Sequence, residues 1–128
     1  MKPADLAAPY RGYIDCLNAQ DWPSLVRFVH ADVAYNGKQI GLSGYRAMLA
    51  KDFEAIPDLR FEIALLASDP PVIASRLQFD CSPAGALFGF PVNGNRVRFE
   101  ENVFYRFGEG RIREVFSIID KTGIAAQV

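Results

Sequence analysis

The segment FEENVFYRFGEGRIREVFSIID, residues 99–120, sets Glu101 and Asp120 among bulky apolar side chains on two arms that fold back over the turn GEG. Pairing the arms across that turn puts Phe107 beside Ile112, Tyr105 beside Glu114, Val103 beside Phe116 and Glu101 beside Ile118, and leaves Phe99 near Asp120. In this register Glu101 and Asp120 point to one face. If that face lines a pocket, two carboxyls are diagonal neighbours in a wall of low dielectric, where desolvation and repulsion raise one pKa and leave the other group ionised. One is then an acid and the other a base, the division of labour that proton transfer beside a carbonyl requires. The structural alternative is that Glu101 pairs with an arginine such as Arg76 and that Asp120 caps a strand end at the rim. Asn36 can orient a substrate carbonyl with its amide, or simply serve the Asn-Gly turn. Tyr35 and Tyr13 offer hydroxyls, and Phe88 and Phe90, on a glycine-rich loop, are candidates for a lid beside a pocket mouth.

These side chains need elements to hold them. Residues 5–18 carry Leu6, Tyr10, Tyr13, Ile14 and Leu17 at helical spacing. Asp21 is an N-cap candidate for a short helix in WPSLVRFVH, with Pro23 in its first turn. A short strand and turn follow in ADVAYNGKQIG. Ser43 then caps a third helix with the stripe Tyr45, Met48, Leu49, Phe53 and Ile56, stopped by Pro57. From residue 58 the period becomes two, giving strands over LRFEIALLAS, VIASRLQFDC, 96–107 and 111–120, with a long loop SPAGALFGFPVNGN before the last pair. Helices first and long strands after predict an α+β fold with the helices packed on one face of a bent antiparallel sheet. Ile73, Phe104, Val115 and Ile119 are expected to form an apolar patch on its other face, large enough to call for a homodimer. Core positions are expected to include Trp22 and Phe116.

The 128 residues fit one domain, 1–128, long enough to bury a core without disulfides or a structural metal. With 14 Lys and Arg against 15 Asp and Glu there is no field to attract nucleic acid or an anionic membrane. The N-terminal stretch has polar residues and prolines where a signal peptide needs an unbroken apolar run, so a cytoplasmic location is expected. Cys16 and Cys81 stand alone and are expected to be reduced and buried. His30 is the only histidine, which removes multi-histidine metal sites.

The stretch FGFPVNGNRVRFEENVFYRFGEGRIREVFSIID resembles the SnoaL-like polyketide cyclases of the nuclear transport factor 2-like superfamily. The family's loop corresponds to Gly89, Pro91 and Gly94, its R-F strand end to Arg106 and Phe107, its hairpin to Gly110, Arg111 and Ile112, its E-x-W to Glu114 and Phe116, and its late Asp to Asp120 followed by Gly123. IPDLRFEI is similar to the family's strand after the third helix. The resemblance implies a cone, a strongly bent sheet enclosing a mostly apolar pocket and commonly dimeric through the sheet. Its members include enzymes that close a ring by intramolecular aldol condensation without metal or cofactor, which implies Asp120 as general acid/base, and others that hydrolyse, isomerise or dehydrate small molecules; the family's Trp is here Phe116. Where cyclase-like members often carry His, this chain has Val103 and Val115, and Tyr35 replaces the His of an H-N-P-like stretch.

Three functions follow as expectations. The first is a cofactor-independent enzyme on a small, apolar, carbonyl-bearing molecule, using Asp120 and Glu101 with Asn36, Tyr35, Tyr13, Phe88, Phe90 and Phe116 around the substrate. The second is a non-catalytic module that binds a hydrophobic ligand or serves as a dimeric scaffold. The third is a carboxylate-dependent hydrolase or isomerase. The missing histidines favour the second, and the acidic residues in an apolar strand pair favour the first.

Overall fold

The helical stripe at the N-terminus becomes α1 (Pro3–Asn18) in the computed structural model, which describes residues 3–127. Leu6, Tyr10, Tyr13, Ile14 and Leu17 are all buried, as their spacing requires. A 3-10 helix, Trp22–Arg27, takes the place of the expected second α-helix. Pro23 lies in its first turn, but Asp21 makes no side-chain cap bond; its carbonyl accepts from Ser24 N at 3.1 Å instead. There follow β1 (Val29–Tyr35), β2 (Lys38–Gln39) and α2 (Gly41–Ala55), which begins before Ser43 and has no side-chain cap. The late strands are β3 (Glu62–Asp69), β4 (Val72–Cys81), β5 (Val97–Gly108) and β6 (Arg111–Asp120).

The sheet has the order β2-β1-β6-β5-β4-β3 and curls around the helices without closing. It is mixed rather than wholly antiparallel, because β1 runs parallel to β6. Chain-distant pairing of this kind leaves no mark on the local pattern of either strand. Tyr13, Leu17, Leu49 and Phe53 from the helices, and Ile73, Leu77, Phe79, Val97, Phe99 and Ile112 from the strands, form one core on the concave side. Each fully covered aliphatic side chain there contributes about 1.5–3 kcal/mol of transfer free energy. Trp22 is only half-buried and packs edge-on to Phe53, with ring centroids 5.8 Å apart. Asn18 fastens the end of α1 to the sheet: its amide nitrogen donates to Phe61 O at 2.9 Å and its oxygen accepts from Phe61 N at 2.7 Å. Cys16 and Cys81 are free thiols, both buried. Among the described residues no helix is long and apolar enough to cross a membrane.

One irregularity decides which side chains face inward. Phe107 pairs with Ile112, but Arg106 pairs with Glu114, so Arg113 is an extra residue bulged out of β6. From there the register is one residue away from the regular pairing of the arms: Glu101 stands opposite Ile119, and Asp120 opposite Glu100. Because side chains alternate along a strand, a slip of one exchanges the two faces. Val115, Ser117 and Ile119 turn to the concave side, and Phe116, Ile118 and Asp120 turn away from it. Phe116, expected in the core, is accordingly 38% exposed beside Phe104 on the convex face. The convex apolar patch is also differently composed: Ile73 and Val115 are buried, and Leu65, Phe104, Phe116 and Ile118 are the exposed large hydrophobic residues there. Around these, Arg76 bridges Glu100 and Asp120, each at 3.3 Å, and Arg106 meets Glu114 at 3.0 Å.

Candidate active site

Between α2 and the concave sheet lies a cavity of about 250 Å³. Its wall is aromatic. Phe61 meets Phe79 edge-on at 5.2 Å, Phe79 stacks on Phe99 at 4.9 Å, and Phe88 stands edge-on to Phe99 at 5.5 Å. Tyr13, Tyr35, Tyr45 and Tyr105 bring phenol rings to the other side, and the hydroxyls of Tyr13 and Tyr45 are 2.6 Å apart. Burial raises the pKa of all four phenols, so they are neutral hydrogen-bonding groups at any working pH. Among the described residues, no Lys, Arg or His lines the cavity.

Glu101, on β5, projects into this wall. Its Oε2 accepts a hydrogen bond from the Ser117 hydroxyl on the neighbouring strand β6. Burial pushes the Glu101 carboxyl above the usual carboxylate range; the Ser117 bond opposes that shift, and the charge of Asp52 adds to it. A desolvated carboxylate held by one neutral donor is a stronger base than one in water. Ser117 is itself held by Asn36, whose amide oxygen accepts from Ser117 N at 2.7 Å and whose amide nitrogen donates to Ser117 O at 3.2 Å. Asn36 thus acts as a side-chain extension of the sheet and does not line the cavity. It also fulfils the turn role, with φ of +49° ahead of Gly37 at +85°.

Asp120 is placed elsewhere. It is not part of the cavity wall, and the expected diagonal pair with Glu101 does not form, because the Arg113 bulge turns Asp120 to the opposite face. Its Oδ1 accepts from Thr122 Oγ1 at 2.6 Å and from Thr122 N at 3.2 Å, and its Oδ2 accepts from Arg76 Nη2 at 3.3 Å. These bonds, those of Thr122 first, hold its carboxyl below the usual range. A lowered folded-state pKa adds stability above the unfolded value of about 4, and that stability is lost as pH falls through the folded value. Asp120→Asn is therefore expected to lower the thermal midpoint at pH 7, with the gap to wild type closing in strong acid. Equal midpoints at pH 7 would show that the bonds to Thr122 and Arg76 contribute nothing.

Of the other sequence candidates, Tyr13, Tyr35 and Phe88 line the cavity, while Phe90 and Phe116 do not. Phe88 and Gly89 form the tip of a tight turn closed by Leu87 and Phe90, and Lys121 Nζ lies 5.0 Å from the Phe88 ring centre. Of the two valines that stand in place of the histidines expected from the resemblance, Val115 forms cavity wall and Val103 is buried. Sequence reasoning missed Asp52, Tyr45 as a polar group, and Ser117. For Asp52 a signal existed: it falls on the same helical stripe as Tyr45, Met48, Leu49 and Ile56, a carboxyl in an otherwise apolar row.

Comparison with known proteins agrees with this architecture. Over residues 7–128 the chain matches the family model described as SnoaL-like polyketide cyclase. A crystal structure of a SnoaL-like polyketide cyclase from Agrobacterium tumefaciens is 49% identical and superposes with a TM-score of 0.94 over 99% of this chain and 98% of that one. IdmH, a putative polyketide cyclase from Streptomyces antibioticus, is 19% identical with a TM-score of 0.80, covering 99% of this chain and 98% of that one. AclR, a putative hydroxylase from Streptomyces galilaeus, is 18% identical with a TM-score of 0.76, covering 94% and 92%. The last two share the fold. No curated protein matches the chain. With the family model spanning nearly its whole length, the chain belongs to the SnoaL-like polyketide cyclase family.

Proposed function

We propose that the protein is an enzyme of proton transfer at carbon, acting on small, largely apolar, carbonyl-bearing molecules, with Glu101 as the base. The observation that carries this reading is the Glu101 carboxyl, raised by burial and held by Ser117, in a cavity otherwise walled by aromatic and aliphatic side chains and phenols. In a ring closure, Glu101 takes a proton from the carbon next to one carbonyl, and the enolate carbon forms a C–C bond to a second carbonyl of the same molecule. The alkoxide left by that bond is then protonated. In this reading Tyr35 and Tyr45, phenols of the cavity wall, donate hydrogen bonds to the developing oxyanion, a contribution that grows in a dry site. Proton transfer by a carboxylate requires no cofactor.

The probe 5-nitrobenzisoxazole tests the base without knowledge of the natural substrate. It is flat, uncharged and aromatic; loss of its C3 proton breaks the N–O bond and releases a coloured cyanophenolate. Saturable turnover is expected from the wild type. Saturable binding without turnover would support the ligand-binding module and overturn the enzyme.

The same reading includes a homodimer joined through the convex sheet faces, because Leu65, Phe104, Phe116 and Ile118 are large apolar side chains left exposed there. Such an interface would bury on the order of 1,200 Å² or more in total. Light scattering at tens of micromolar is expected to give a dimer for the wild type and a monomer for Phe104→Glu; a monomeric wild type overturns the assignment.

A further inference from the structure

Asp52 lies on α2 and lines the cavity together with Glu101 of β5. Its position belongs to the stripe Tyr45, Met48, Leu49, Asp52 and Ile56 that α2 turns to the cavity. A core-facing row at this spacing is apolar in an ordinary packed helix. Asp52 is more open to solvent than Glu101, so it stands where the cavity meets water, only partly withdrawn from it.

We propose that Asp52 is the second acid–base group of the site, coupled to Glu101 so that the two carboxyls work as a pair. The pair presupposes Glu101 as the base. In the ring closure, Glu101 takes the proton from carbon while protonated Asp52 gives its own to the oxygen of the carbonyl under attack, so that a neutral alcohol forms. The proton on Glu101 then leaves and Asp52 takes one up, both by exchange with water at the mouth, and the pair is reset with atoms and charge balanced. The substrate class is an uncharged compound with two carbonyl groups, since two acidic residues and no cationic side chain line the cavity among the described residues.

The electrostatics support the coupling. Burial raises the Asp52 carboxyl to about 6, with Lys51 pulling it down, and the charge of Asp52 is one of the causes that raise Glu101. Lys51, the neighbour of Asp52 on α2, acts on it from outside the cavity wall; the titratable groups facing the pair are Tyr45 from α2, Tyr35 from β1, Tyr13 from α1 and Tyr105 from β5, while Lys121 lies over Phe88 at the loop. Two carboxyls in one cavity titrate as a unit whose singly protonated form holds both a base and an acid.

Two measurements test the pair. The first follows the Glu101 side-chain carboxyl by carbon NMR, assigned by its loss in Glu101→Gln, through a pH titration of the wild type and of Asp52→Asn. The midpoint of Glu101 is expected to move to lower pH in Asp52→Asn; an unchanged midpoint overturns the pair. The second compares 5-nitrobenzisoxazole, whose phenolate leaves unaided, with unsubstituted 1,2-benzisoxazole, whose poorer leaving group benefits from an acid. Asp52→Asn is expected to slow the unsubstituted compound about tenfold or more and the nitro compound much less. A uniform loss on both compounds means Asp52 only shapes the cavity, and overturns its role as acid. Turnover that survives in Glu101→Gln instead brings down the Glu101 base and the pair with it. If the wild type turns over neither compound, the proposed function falls and the carboxyl titration alone decides the coupling.

Discussion

Glu101→Gln is expected to abolish turnover of the benzisoxazole probe and, at the same time, to make the folded protein more stable above neutral pH. The first effect follows because glutamine keeps the shape, and its amide oxygen can still accept from the Ser117 hydroxyl, but it cannot take a proton from carbon. Loss of a positioned general base lowers the rate by about 10²-fold or more. The second follows from the direction of the shift. Glu101 is raised in the folded state by burial, so ionisation is penalised there relative to the unfolded chain. Wild-type stability is then fullest below the unfolded carboxylate value of about 4 and declines as pH rises through the raised folded value. Glutamine has nothing to ionise and escapes that decline, a gain on the order of 1 kcal/mol for relieving a functional site. Thermal unfolding of both proteins at pH 4 and pH 8 reads the difference directly: near-coincident midpoints at pH 4 and a higher midpoint for the variant at pH 8. A variant less stable than wild type at pH 8 would mean that the carboxylate is compensated by a cation and is a structural group. Asp120→Asn has the opposite sign over the same pH range, so the two acidic residues that look alike in sequence separate cleanly in one experiment.

Asn36→Ala is expected to cost about 2 kcal/mol of stability and also to slow turnover, although Asn36 does not line the cavity. Two bonds to the Ser117 backbone are lost, at 2.7 and 3.2 Å, each contributing roughly 0.5–1.5 kcal/mol. Alanine must also adopt the left-handed backbone at φ of +49°, which asparagine tolerates better. Asn36→Gly separates the two causes, because glycine accepts the backbone geometry but supplies no amide. The functional effect runs through Ser117. With its main chain released from β1, its hydroxyl no longer meets Glu101 at a fixed place, and the acid limb of the pH–rate profile is expected to rise in pH, since the Ser117 bond is what lowers Glu101. Denaturant unfolding and a pH–rate profile for alanine and glycine variants check both parts. An unshifted acid limb would reduce Asn36 to its role in the turn.

The helices and long strands were legible because burial of one face imposes a period, and α1 and β4 obey theirs without interruption. Glu101 was legible as a carboxyl in an apolar strand for the same reason. Asp120 was misplaced because a period of two carries no information about where an extra residue is inserted, and the Arg113 bulge is such an insertion. Phe116 and the composition of the convex patch were misplaced by that single slip. Asp52 was passed over because a polar residue in a helical stripe looks like an interruption of the pattern, whereas here it stands at the cavity. The pairing of β1 with β6, which brings Asn36 to Ser117, depends on contacts between residues 81 positions apart and has no local signature.

The extra residue in β6 also parts motif from position within this one strand. The hairpin turn before it and the strand end after it keep their sequence pattern, yet the side chains beyond Arg113 face the other way from where an unbroken alternation would send them. The acidic residue near the strand's end therefore belongs to the surface, and the chamber takes its carboxyl from the neighbouring strand instead.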